Sequence, residues 1–338
     1  MQAKYYNVCA PATVYGLLVF LLYASEEDIV HTKFLTSHTI PKFVRDRVPN
    51  NEYVEARLTR KRALWYFVKY KILRRFLAPE LVHSKIYAQD HLTTSPYIIS
   101  QRHYTLLPDG PFFLELNSKQ KWVLDAWHKK ENLGGLERFF SNAISLSRFG
   151  YMGKNLLCDH LILTEEEDIQ HTIGISRTIV NIKESWGKSS DQKKESILNI
   201  FGVTNDLVKI LASKKIILFS SPFVDDGVIT EEEQISIYQD ALKNYNEGDV
   251  VIKMHPRDTL DYKKHFPNIL VFDKPIPSQL FNLIGPQYTC AITIYSTAVL
   301  DCDYDLKVDW IGTKVHPKLY AAFGDQRYED YISKRAKK

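Results

Sequence analysis

Residues 250–258 read Val-Val-Ile-Lys-Met-His-Pro-Arg-Asp. The apolar, β-branched start predicts a short buried strand of a parallel sheet, and Pro256, which cannot donate to a ladder, must end it. His255 is thereby left at the carboxyl end of the strand, where open α/β sheets hold their ligands. Lys253 and Arg257 bring cations to the same place, and Asp258 a carboxylate. A histidine set between cations at a strand end is suited to meeting a phosphate and giving it a proton. An isolated His-Pro is an ordinary turn, so the neighbouring segments decide what this one is.

Those neighbours repeat the pattern. Ile216-Ile217-Leu218-Phe219 is a second buried run, and it ends in Ser220-Ser221-Pro222. A loop containing Asp225-Asp226-Gly227 follows, then Thr230 with Glu233 three residues on, the capping box of a helix reaching about Tyr245. After the His255 strand come a strand over 268–272, the helix opening Lys274-Pro275-Ile276-Pro277-Ser278-Gln279, a strand over 290–294 ending in Tyr295-Ser296-Thr297, and a last strand over 307–311. Strands and helices in strict alternation predict a doubly wound α/β unit.

The first half alternates less cleanly. A strand over Tyr5–Cys9 is expected, then a buried helix from about Pro11, since proline suits a first helical turn. The apolar stretch 14–24 is broken too soon for a membrane span, and its flank lacks a basic leader and a cleavage site. Residues 28–35 are a second strand candidate. Residues 57–77 are expected to be one helix, with Ala56, Leu64, Phe67, Val68, Ile72 and Phe76 at helical spacing. This helix is dense in Lys and Arg and carries Trp65, Tyr66 and Tyr70, so it suits either an ordinary solvated face or a surface resting on anionic lipid. Short strands are expected near 85–87, at Ile98-Ile99 and over 103–107, the last running into Pro108-Asp109-Gly110. Residues 133–149 read as helix, 159–164 and 178–182 as strands, and the polar helical stretch 183–206 as the passage to a second domain. The expected domains are therefore 1–205 and 206–338.

Length and composition agree with two globular domains: 338 residues, 45% hydrophobic and 25% charged. The net charge of +4 is mild. The cysteines Cys9, Cys158, Cys290 and Cys302 form no zinc spacing and read as reduced thiols of a cytoplasmic protein. No nucleic-acid motif is present, and neither GxxxxGK[ST] nor GxGxxG occurs. If the second sheet is parallel, Ser220-Ser221, His255-Pro256-Arg257, Lys274 and Ser296-Thr297 converge at one edge, a set of hydroxyls and cations suited to a phosphate. A general base could come from Asp225 or Asp226, or from Asp109 in the first half. Without a convincing metal pair, charge neutralisation by protein groups is expected.

The ordered set of Ile217–Pro222, a carboxylate loop, His255-Pro256-Arg257 and Ile294–Ala298 resembles the C-terminal half of bacterial sialyltransferases, above all glycosyltransferase family 52, which includes lipooligosaccharide enzymes. Leu107-Pro108-Asp109-Gly110 resembles the acidic-acidic-Gly motif of the wider group, with proline replacing the first acid. The resemblance implies a GT-B fold, two Rossmann-like doubly wound domains facing a central cleft, with acceptor on the first and a CMP-sugar on the second. It implies that His255 binds the CMP phosphate and serves as general acid, that Ser296 and Thr297 bind the same phosphate, and that Pro256 and the loop from Lys274 through Pro275 to Ser278 hold the cytidine. Gln279 stands near where related enzymes carry a ribose-binding glutamate. Asp225, Asp226 and Asp109 all remain open as the base.

The implied activity is inverting, metal-independent transfer of sialic acid from CMP-sialic acid to a terminal sugar, galactose being expected, of a lipooligosaccharide or capsule. No further cofactor is implied. The expected partners are the nucleotide-sugar donor, the glycan acceptor, the inner face of the membrane through the basic helix and the Lys334–Lys338 tail, and a second copy in a homodimer. Competing readings are a GT-B transferase using CMP-Kdo or a UDP-sugar, and a silent nucleotide- or glycan-binding subunit.

Overall fold

The computed structural model describes residues 5–55, 60–90, 99, 103–111, 113–114, 157–167, 172, 174–296, 298–299 and 306–330. The expected helix over 133–149, Thr297, Cys302 and the Lys334–Lys338 tail lie outside the described residues. The chain divides into two compact units, Met1–Gly202 and Val203–Lys338.

The first unit carries a seven-stranded sheet in the order β3-β2-β1-β4-β5-β6-β7. The strands are β1 (Asn7–Ala10), β2 (Thr32–Thr36), β3 (Asn51–Tyr53), β4 (Lys85–Ala88), β5 (Tyr104–Leu106), β6 (Cys158–Leu163) and β7 (Ser176–Ile179). Every neighbouring pair is parallel. The chain leaves β1 toward β2 on one side and returns to β4 on the other, so the switch point lies between the ends of β1 and β4. The helix Val14–Tyr23 follows β1, and Leu17 to Leu21 are fully buried, which accounts for its unbroken apolar sequence. Its N-cap is Thr13, whose hydroxyl accepts from the Gly16 N–H, so Pro11 stands two residues before the cap rather than in the first turn. Among the described residues no helix is long and apolar enough to cross a membrane.

Three first-half expectations change. The start of the 28–35 strand candidate is helix: Ser25 and Asp28 form a reciprocal capping box on Glu26–Val30, and the strand begins only at Thr32. β3 was not anticipated, because Asn-Glu-Tyr lacks apolar alternation and stands at the sheet edge. The long helix over 57–77 is broken into Arg60–Phe67, a π-turn over Val68–Ile72 and Arg74–Leu77. Tyr66 and Tyr70 face inward, whereas Leu64, Ile72 and Phe76 are exposed. Ile99, expected in a short strand, is helical and buried in the first core, and Ile98 lies outside the described residues. Lys183 to Asp206 resolves into helices Ile182–Lys188 and Asp191–Ile200, capped by Asn181 and Ser190, with a third, Asn205–Ala212, beginning at its end.

The second unit carries a parallel five-stranded sheet, β10-β9-β8-β11-β12. Its strands are β8 (Ile216–Phe219), β9 (Val250–Lys253), β10 (Leu270–Phe272), β11 (Cys290–Thr293) and β12 (Lys307–Trp310). β8, β9 and β11 are buried at every position, as sheets covered on both faces require. The chain steps from β8 to β9 and β10, then crosses back to β11 on the other side of β8. Strand ends 219, 253 and 293 therefore lie side by side about the switch point. The helix Glu231–Leu242 has the expected Thr230–Glu233 box and places Gln234 and Tyr238 in the core.

Candidate active site

The geometry is densest where β8 and β9 end. His255 Nδ1 accepts the backbone N–H of Arg257 at 3.1 Å, so the neutral ring carries its proton on Nε2. Burial, then the Arg257 and Lys253 charges, push the His255 pKa below its ordinary value. The backbone N–H of His255 donates to Ser220 Oγ at 3.0 Å. Ser220 in turn donates to Asp258 Oδ2. One hydroxyl from the β8 end thus fixes the first residue of the loop after β9.

Asp258 is the hub of a buried network that the sequence did not reveal. It accepts from Ser220, from the Tyr262 hydroxyl at 2.9 Å and from the Leu260 N–H at 3.2 Å. Gln234 Nε2 donates to Tyr262 at 2.6 Å and to the Ser221 carbonyl at 2.9 Å. The Ser221 N–H donates to the Tyr238 hydroxyl at 3.1 Å. Burial raises the Asp258 pKa against the pull of these hydrogen bonds. Ser220 and Ser221, expected as ligand contacts, are almost wholly buried and serve this network. Pro222 is buried beside them.

The two carboxylates proposed as bases brace the same loop from outside. Asp225 accepts the Thr259 N–H at 3.0 Å and its hydroxyl at 2.6 Å, and these bonds hold its pKa below the usual carboxylate range. Asp226 takes Arg257 through both guanidinium nitrogens, at 2.6 and 3.4 Å. Both are exposed, as are Pro256 and Arg257. The loop after β8 and the loop carrying His255, far apart in sequence, are therefore joined in space by side-chain ties.

Lys253 is buried at the end of β9, where its ammonium donates to the Met254 carbonyl at 2.8 Å and lies 5.5 Å from the centre of the Phe272 ring. Burial lowers its pKa to about 8. Lys274, Pro275, Ser278 and Gln279 are half-buried after β10, and Ser278 starts the helix Ser278–Ile284. At the end of β11, Thr293 Oγ1 donates to the Phe219 carbonyl at 3.3 Å and accepts the Ser296 N–H at 2.8 Å. Ser296 Oγ accepts from the Ala298 N–H at 3.3 Å. The loop carrying Ser296 is thereby tied to the end of β8, on the opposite side of β8 from the His255 loop.

Asp109 belongs to the first unit, beyond β5. Gln89, after β4, organises that edge: its Oε1 accepts from the N–H groups of Ala12 and Thr13 at 2.7 and 3.1 Å. Its Nε2 donates to the Pro108 carbonyl at 2.9 Å and to Asp109 Oδ1 at 3.3 Å. A Cβ at Gly16 would lie 3.0 Å from the Pro108 carbonyl and 3.1 Å from Gln89, so any larger residue would have to push this edge apart by a few tenths of an ångström. Gln89 gave no signal in sequence, since a lone glutamine after a strand has no pattern.

An Nε2–H donor and a guanidinium thus stand at the end of β9, and a half-buried serine at the end of β11, on either side of β8. They can receive an anionic group and, through the Nε2–H of His255, meet developing negative charge with a hydrogen bond. The fold is that of known GT-B proteins. The 2,6-sialyltransferase of Photobacterium sp. JT-ISH-224, solved with CMP and lactose, superposes with a TM-score of 0.57 at 9% identity, covering 90% of this chain and 70% of that one. The GT-B domain of the Photobacterium damselae sialyltransferase superposes with a TM-score of 0.54 at 12% identity, covering 90% of both chains. An uncharacterized protein of Haemophilus influenzae is 30% identical over 321 residues, 93% of this chain and 96% of its own length. The sequence profile of glycosyltransferase family 52 matches residues 30–319, and the chain belongs to that family.

Proposed function

We propose that this glycosyltransferase moves sialic acid from CMP-sialic acid to a hydroxyl of a terminal sugar, galactose, on a bacterial lipooligosaccharide or capsule. The observation that carries the reading is His255: a neutral ring at a strand end, its Nδ1 occupied by a backbone N–H and its Nε2–H left to donate. The solved relative that holds CMP and lactose supports the choice of donor nucleotide and acceptor sugar.

In this reaction a carboxylate takes the proton of the acceptor hydroxyl. The oxygen attacks the anomeric carbon, and the bond from that carbon to the CMP phosphate oxygen breaks, its electron pair leaving with CMP. Neutral His255 gives the departing phosphate a hydrogen bond from its Nε2–H and keeps that proton, and Ser296 and Thr297 also hold the phosphate. Pro256 and the loop Lys274–Ser278 carry the cytidine, Gln279 reaches the ribose, and the first unit takes the acceptor. Protein cations and donors, rather than a divalent ion, balance the charge. Asp109, Asp225 and Asp226 are the candidate bases; the two Thr259 hydrogen bonds hold the Asp225 carboxylate below the usual range, which counts against it as a base. The enzyme works at the inner face of the membrane.

A nucleotide panel by thermal shift tests the donor. At about a hundred times its Kd, a ligand of the folded state adds about 2.7 kcal/mol of stability. A melt raised by CMP and left alone by UDP, UMP and GDP is the expected result. A shift with UDP and none with CMP overturns the sialyltransferase reading and leaves the fold standing.

A further inference from the structure

The segment 60–77 holds seven basic residues and no acidic one, more positive charge than the net +4 of the entire chain. Its inner side is anchored. Tyr66 and Tyr70 are buried in the first core, and the Tyr66 hydroxyl accepts the Glu55 N–H at 2.6 Å. Lys69 pairs with Glu52 at 2.5 Å. The outer side is apolar: Leu64 is 64% exposed, Trp65 52%, Ile72 62% and Phe76 82%, with Leu73 and Leu77 exposed beside them. The π-turn over Val68–Ile72 sets the phase, so that the tyrosines stay inward while Leu64 and Ile72 remain on the outside. Lys61, Arg62 and Arg75 are exposed among them.

Globular surfaces scatter single apolar residues; a contiguous set of large ones marks a surface that something covers. We infer that this face docks on a bilayer carrying anionic lipid. Charge decides between occupants. A second copy in a two-fold contact would set the patch against itself, bringing the exposed Lys61 and Arg75 toward like charges, with no acid within residues 60–77 to pair them. An anionic bilayer meets every requirement: apolar depth for Leu64, Ile72 and Phe76, an interfacial zone for Trp65, and phosphate headgroups for the cations. The segment runs along its own unit and is broken by a π-turn and a bend at Leu73, so it lies in the interface plane and does not span.

Sedimentation of the full chain with vesicles tests this directly. Binding is expected to phosphatidylcholine vesicles containing about a quarter phosphatidylglycerol, and to weaken several-fold between about 0.1 and about 0.5 M salt. Pure phosphatidylcholine vesicles are expected to bind at least about tenfold less. The pairs Trp65→Ala/Phe76→Ala and Lys61→Glu/Arg75→Glu should each lower binding by about tenfold or more, with the melting temperature and the nucleotide-induced shift of the parent retained. Brominated phosphatidylglycerol should quench tryptophan emission in the parent and much less in Trp65→Phe. Equal binding to neutral and anionic vesicles, no binding to either, or pairs that bind as the parent does overturns the proposal. So does a homodimer in light scattering that either pair dissolves, since the face would then belong to a second copy. None of these readouts depends on the identity of the donor sugar.

Discussion

Replacing Asp258 by Ala tests whether the loop carrying His255 is held by the buried carboxylate. Three donors lose their acceptor together: the Ser220 hydroxyl, the Tyr262 hydroxyl and the Leu260 N–H. Ser220 is 2% exposed and Tyr262 fully buried, so water cannot readily replace the carboxylate. A stranded buried donor costs about 1–3 kcal/mol, less where a hydroxyl can turn elsewhere, so a loss of about 3–5 kcal/mol is expected. That is within the stability of an ordinary domain, so the second unit should fold with a lowered melting temperature in calorimetry. The functional loss is separate. Ser220 also receives the His255 N–H, so its release unties the loop, and ordering that loop on binding should weaken CMP about tenfold to a hundredfold in titration calorimetry. Tyr262→Phe is the control. It removes one of the two acceptors of the Gln234 amide and one donor to Asp258 but leaves the Ser220 arm intact. It should lower stability by about 1–2 kcal/mol and change CMP affinity by less than about threefold. If both variants weaken CMP alike, or Asp258→Ala leaves melt and affinity unchanged, the Ser220–Asp258 tie does not hold the site.

Lys253 gives a pH prediction with a definite sign. Its folded pKa of about 8 lies below the unfolded value near 10.4, so the unfolded chain binds the extra proton between the two. The buried ammonium should cost about 3 kcal/mol below pH 8, a cost relieved as pH rises toward about 10 at up to about 1.4 kcal/mol per pH unit. Lys253→Met should abolish that slope in denaturant titrations compared with the parent; identical slopes refute it. His255→Ala should lower turnover about a hundredfold or more, measured as CMP release in the presence of lactose, and an unchanged rate removes His255 from the mechanism. Among Asp109→Asn, Asp225→Asn and Asp226→Asn, the variant of the base should lose about a hundredfold in turnover with CMP affinity retained, whereas a loop brace should lose affinity first. Activity should survive EDTA; complete loss restored by a divalent ion contradicts metal-free transfer.

What could be read from the sequence follows from what each residue does alone. Ile216–Phe219, Val250–Lys253 and Cys290–Thr293 are covered on both faces, so their composition states their environment without reference to any other segment. Thr230–Glu233 was legible for the same reason, because a capping box closes within one turn. Ser25–Asp28 is the same device, but its Asp28 opens the 28–35 stretch whose apolar residues suggest strand, and the local hydrogen bonds won. The helix 57–77 failed differently: of its apolar periodic residues Leu64, Ile72 and Phe76 face outward, while Tyr66 and Tyr70, on either side of the start of the π-turn, are buried. Periodicity tells which residues share a face, not which face is covered. The site divides along the same line. His255 was legible because it closes an apolar run just before a proline, although β9 itself ends two residues earlier, at Lys253. Asp258 and Gln89 were not, since each earns its role from partners 38 and 76 to 77 positions away. Asp225 and Asp226 were legible as an acidic turn, but their ties to Thr259 and Arg257 exist only once β8 and β9 are paired. The chemistry-bearing histidine is therefore set by local sequence, and the scaffold that aims it is set by the parallel register of β8 against β9. A substitution that shifts that register, with every site residue retained, should disable the site as fully as loss of His255 itself.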